Sequence, residues 1–103
     1  MSPWDRIVTT YASKGVDLGA ALDVNLQFGF VFSTPDFFIM GRPMGDTWFI
    51  EAMAGDMSRA WDILPYPLPY IAWQRFDNVL RKAPLSVVKR LTRHEIAKPM
   101  VAA

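Results

Sequence analysis

The chain has 103 residues, 51% of them hydrophobic, with four Trp, seven Phe and three Tyr, a formal net charge of +1 and no cysteine. That length implies a single domain, 1–103, able to bury roughly 65% of the surface its unfolded chain exposes. Without Cys, disulfides, thiolate metal sites and cysteine nucleophiles are excluded, and no apolar run approaches the ~18 residues needed to span a bilayer.

The opening residues predict a helix over 3–14. Ser2 is a natural cap, Pro3 fits the first helical position, and Asp5 completes a Ser-x-x-Asp box at the positive end of the dipole. Trp4, Ile7, Val8 and Tyr11 recur at i, i+3, i+4 and i+7 on one face, and Gly15 can close the helix in a left-handed conformation. No charged leader followed by an apolar stretch opens the chain, so a cytoplasmic location is expected. Residues 16–24 read as a connection in which Asp17 can cap a single turn.

Residues 26–53 read as a β-meander. Leu26, Phe28, Phe30 and Phe32 alternate with Gln27, Gly29, Val31 and Ser33, the period of a strand with one apolar face. Thr34-Pro35-Asp36 is a turn signal, Phe37-Phe38-Ile39-Met40 a second strand, and residues 41–46 a second turn. A third strand over 47–53 places Trp48, Ile50 and Ala52 on one face. Asp56 then caps a helix over 57–64 with Met57, Ala60, Trp61 and Leu64 on one side, and Pro65 stops it.

Pro65, Pro67 and Pro69 alternate with Tyr66, Leu68 and Tyr70, which forces an extended, polyproline-like path. A helix over 70–82 follows, with Ala72, Phe76, Val79, Leu80 and Ala83 as its buried stripe and Trp73 directed elsewhere. A last helix over 85–97 has Val87, Val88 and Leu91 inward and Lys89, Arg90 and Arg93 outward. The expected fold class is α+β: a small antiparallel three-stranded meander, about 26–53, covered by an N-terminal helix and two to three C-terminal helices.

Charge is unevenly placed along this chain. Residues 1–69 carry four basic and eight acidic side chains, a net −4, whereas residues 70–103 carry seven basic and two acidic, a net +5. A basic end attracts anions and an acidic end repels them, so the polarity points to binding.

Catalytic chemistry finds little footing. His94 is the only histidine, and no set of three or four His, Cys or carboxylate ligands is spaced for a metal. Neither a Gly-x-Ser-x-Gly elbow nor a phosphate-cradling glycine loop occurs. Asp36 and Asp46 fall in turns, where Asp bonds its own backbone, and Glu51 alternates with apolar neighbours. No enzyme activity, no cofactor and no metal site is expected.

Three binding features remain. The stiff strip Tyr66, Pro67, Leu68, Pro69, Tyr70, together with Trp73, suits either a rigid connector or a ligand for an aromatic groove. Arg81, Lys82, Lys89, Arg90 and Arg93 form an anion-binding set that can sit on phosphates. The opposed charges of the two parts favour association within the fold, with a second copy, or with another protein. The expected function is a non-catalytic protein-interaction module, accessory or regulatory, of a kind frequent among phage and mobile-element products. Its partner is another protein or itself. The alternative is a nucleic-acid-associated protein using the basic C-terminal helix.

Overall fold

The computed structural model describes residues 2–74 and 78–92. Helices α1 (Pro3–Ser13) and α2 (Leu18–Phe28) lead into strands β1 (Phe30–Ser33), β2 (Phe37–Met44) and β3 (Thr47–Gly55). A short helix α3 (Met57–Ala60) runs into a 3-10 turn (Trp61–Ile63), followed by β4 (Tyr70–Gln74) and β5 (Leu80–Pro84). Helix α4 covers residues 85–92. The strands form one sheet in the order β1-β2-β3-β4-β5, antiparallel throughout except for the parallel pair β3–β4.

The class is α+β, but among the described residues the sheet is five-stranded and mixed, with four helices, rather than a three-stranded meander covered by an N-terminal helix and two to three C-terminal helices. Two corrections account for most of the difference. Residues 16–28 are not a connection and half a strand: Asp17 accepts from the Gly19 amide at 2.8 Å and starts α2, which runs through Leu26 and Phe28. Its inward row is Leu18, Ala21, Leu22 and Asn25, so the alternation of Leu26 with Phe28 is accidental, and both side chains are exposed. In place of the helix expected over 70–82, residues 70–74 and 80–82 lie in strands, and 75–77 lie outside the described residues. Ile71 and Trp73 point into one core while Tyr70, Ala72 and Gln74 point to the other side, because the chain here adds to the free edge of β3. Of the helix stripe, Val79 and Leu80 are exposed, and Phe76 lies outside the described residues. The final helix holds over 85–92, and 93–97 also lie outside them.

Smaller shifts have local causes. The second turn shrinks from 41–46 to Gly45-Asp46, because β2 continues to Met44 opposite Thr47. Gly45, at φ +65°, takes the first central position, where two-residue hairpins favour glycine. In β3, Met40 faces Ala52 but Gly41 faces Ile50, so Glu51 is an extra residue. That bulge reverses the alternation. Trp48 and Ile50 therefore point into one core and Ala52 into the other, rather than all three sharing a face.

The sheet thus has a core on each side. On one face, α1 and α2 cover Phe38, Met40 and Ala52 with Ile7 and Leu18. On the other, Phe30, Phe37, Ile39, Trp48, Ile50 and Ile71 pack under α3, the 3-10 turn and Leu85 and Val88 of α4. The parallel β3–β4 pair requires a crossover, supplied by residues 56–69.

Local punctuation follows the sequence at both clear caps. Ser2 accepts from the Asp5 amide at 3.1 Å and its hydroxyl donates to the Asp5 carboxylate at 2.7 Å. Asp56 accepts from the Ser58 hydroxyl and amide at 2.6 and 3.0 Å, and these bonds hold its pKa below the ordinary carboxylate value. Since the folded pKa lies below the unfolded one, this stabilisation is present above the unfolded value and is lost as pH falls through the folded one. Urea titrations between about pH 5 and pH 3 should therefore show a smaller loss of stability in Asp56→Asn than in the parent chain.

Candidate interaction site

Three surfaces gather the chemistry of the molecule. The first is the strip over residues 65–70 that links the 3-10 turn to β4. It is fixed to the core: the Trp48 indole N–H donates to the Tyr66 carbonyl at 3.0 Å, and the two rings lie 4.7 Å apart, tilted by 47°. Leu68 packs into the core and Trp73 is half-buried in it, while Tyr66 remains about half exposed. The Leu85 amide donates to the Pro69 carbonyl at 2.9 Å, which docks the start of α4 against the strip. Between them run two adjoining shallow grooves of about 460 and 220 Å³, sharing Leu85 and Lys89. The structure therefore brings Tyr66, Pro67, Leu68, Pro69, Tyr70 and Lys89 to one place. The strip is fastened through the Tyr66 and Pro69 carbonyls.

The described basic residues of this set lie on two elements, β5 and α4. Lys82, on β5, lies 3.8 Å from Asp46 and 4.6 Å from the centre of the Tyr70 ring. Lys89, on α4, lies 3.8 Å from Asp62. Arg81 donates to the Val79 carbonyl at 3.1 Å, Arg90 is exposed on α4, and Arg93 lies outside the described residues. Lys82 and Lys89 each join a cation of the C-terminal third to a carboxylate of the acidic first part. The opposed charges of the chain thus meet at these points inside one fold.

The second surface was not visible in the sequence. Where α1 and α2 leave the sheet uncovered, Phe49 floors two neighbouring clefts of about 460 and 390 Å³. Arg42 holds them together: its guanidinium lies 4.9 Å from the Phe49 ring centre, donates to the fully buried Asn25 amide oxygen at 3.3 Å, and pairs with Glu51 at 3.5 Å. Asn25 in turn donates to the Ala21 carbonyl at 2.7 Å, so its buried amide is satisfied at both ends. Burial, and then the Glu51 carboxylate, push the Tyr11 phenol above its ordinary pKa. The bulge delivers Glu51 to this group, and no sequence spacing signals that.

The third surface is the β1 edge of the sheet. Here α2 exposes Val24 (43%), Leu26 (63%) and Phe28 (64%), and β1 exposes Phe32 (40%). From Val24 to Pro35 there is no charged side chain. The opposite edge differs sharply: β5 carries Arg81, Lys82 and Pro84, the residue types that discourage strand pairing. That twelve-residue neutral interval, bracketed by Asp23 and Asp36, was the available sequence signal. Among the described residues no helix is long and apolar enough to cross a membrane, so these side chains are not part of a helical span. In comparisons with known proteins, no family model, no curated protein and no solved structure matches the chain.

Proposed function

We propose that the protein is a non-catalytic protein-interaction module that works by burying its β1 edge and the end of α2 against another protein chain. One observation carries this reading: Val24, Leu26, Phe28 and Phe32 stand exposed within a charge-free stretch at an unguarded sheet edge. Phe32 flanks the β1 edge on one face of the sheet and the end of α2 flanks it on the other, and their aromatic rings suit the anchors that dominate interface energies. The nucleic-acid reading has less support. Phosphates would have to displace Asp46 from Lys82 and Asp62 from Lys89.

The test is a photo-crosslinking side chain placed at Phe28 and, as a control, at the exposed Thr9 on α1, in cells that produce the protein. A discrete protein adduct at position 28 and none at position 9 is expected. Equal labelling at both positions, or no adduct at either, removes the proposal.

A further inference from the structure

Resting on that reading, we infer that the partner at this edge is a second copy of the chain, its β1 paired antiparallel with β1 about a two-fold axis at Val31. The hydrogen-bond phase of the first hairpin sets the geometry. The Thr34 amide donates to the Phe37 carbonyl at 2.9 Å, so Thr34 and Phe37 are a bonded pair. Bonded and non-bonded pairs alternate along an antiparallel ladder. Phe32 opposite Ile39 and Phe30 opposite Gly41 are then bonded pairs, and the amides and carbonyls of Val31 and Ser33 point away from β2. Among the described residues, no backbone partner beyond the sheet meets Val31 or Ser33.

Self-pairing answers this edge. Opposed residues of an antiparallel pair share a face, so the two-fold axis must lie midway between two copies of one residue. At Val31 the two copies exchange both outward backbone bonds. Phe30 then opposes the second copy's Phe32 on one face of the joined sheet, an aromatic pair of the kind that stabilises strand pairing. Val31 meets Val31 on the other face, the side on which the end of α2 lies. Within β1 itself there is no charged side chain, so this register opposes no like charges along the strand. A neutral apolar edge needs no complementary charge in its partner, and the same patch serves both sides, as a two-fold interface requires. β1 is only four residues long, so the interface is small and the dimer is expected to dissociate on dilution.

Sedimentation or light scattering of the whole chain from about 5 to about 500 µM tests this. The mass should rise with concentration from 11.7 kDa to twice that value. Two variants should hold the single-chain mass throughout. Val31→Pro removes an outward amide without touching a β1–β2 bond, and Phe32→Lys guards the edge with a charge. Leu80→Lys, at the exposed start of β5, should dimerise like the parent. Circular dichroism establishes that each variant folds, and Phe32→Lys decides the matter if Val31→Pro does not. A parent chain that keeps the single-chain mass of 11.7 kDa over the whole range overturns the inference, as does a dimer that survives Phe32→Lys or is abolished only by Leu80→Lys. A single-mass parent chain that still gives a discrete adduct with another protein at position 28 removes self-pairing but keeps the interaction reading.

Discussion

Trp48→Ala should destabilise the fold by about 4 kcal/mol, the range for deleting a large aromatic side chain from a core. Trp48 is 1% exposed in the middle of the sheet. It meets Phe30 edge-to-face at 5.2 Å between ring centres, and it holds the crossover through the Tyr66 carbonyl. Truncation therefore opens a cavity under α3 and unfastens the strip over residues 65–70 in one step. For a domain of this size that cost lowers Tm by roughly 15–30 °C, and it is a large share of a total stability of about 5–15 kcal/mol. Trp48→Phe separates the two contributions. It keeps most of the volume and the contact with Phe30 but removes the donor, so about 1 kcal/mol is expected, since the carbonyl of the exposed Tyr66 can turn to water. Limited proteolysis near Tyr66 should accelerate in both variants. Urea unfolding checks the ordering; a cost below about 2 kcal/mol for Trp48→Ala would show that the strip does not depend on this indole.

The elements legible in the sequence were those fixed by local chemistry. Ser2, Pro3 and Asp5 marked the start of α1, Asp56 marked α3, and the proline alternation marked the extended crossover. The failures came where period and tertiary context disagreed. Leu26, Phe28, Phe30 and Phe32 keep strict alternation across a helix-to-strand junction at Gly29, so period alone could not find the boundary. Residues 70–84 carry apolar side chains compatible with either period, and the open edge of β3 decides for strands. The bulge at Glu51 adds one residue to a ladder, which no local propensity announces, yet it places Glu51 beside Arg42. The candidate surface was legible only as an absence of charge between Asp23 and Asp36. That absence gains meaning once β1 is known to be an edge strand.

Part of the chain's charge polarity is spent within the fold. Lys82 with Asp46 and Lys89 with Asp62 clasp β5 and α4 to the acidic first part. Both pairs are solvent-exposed to a third or more of their side chains, so each is worth at most about 1 kcal/mol. They orient the C-terminal elements more than they stabilise them. The opposite edge of the sheet, with neither charge nor proline, is where apolar burial remains available.

That edge depends on a close backbone contact behind it, and Gly41→Ala should break it at a cost of about 3 kcal/mol, the upper part of the overpacking range. A Cβ on Gly41 would run into the Phe49 carbonyl oxygen and stand 3.2 Å from the Ile50 Cα, both on β3. Gly29 is fitted against Gly41 in the same way: its Cβ would strike the Gly41 carbonyl and lie 2.8 Å from the Arg42 Cα. The obstacles are backbone atoms, which cannot turn aside as a flexible side chain can. Relief requires β2 to move from β3 at the bulge, and β1 is paired to that segment through Phe30 and Gly41. Gly15→Ala is the matched control. Nothing lies within 4 Å of its Cβ, and only its φ of +77° opposes a side chain, so about 1 kcal/mol is expected. Urea unfolding should rank the two, and amide hydrogen exchange should show faster opening at β1–β2 than at β4–β5 in Gly41→Ala. Equal costs for the two variants would mean that β2 and β3 can separate at the bulge without penalty. If the strain does reach β1, Gly41→Ala should also weaken self-association at concentrations where the chain is still folded, because the edge offered to the second copy is held straight by this packing.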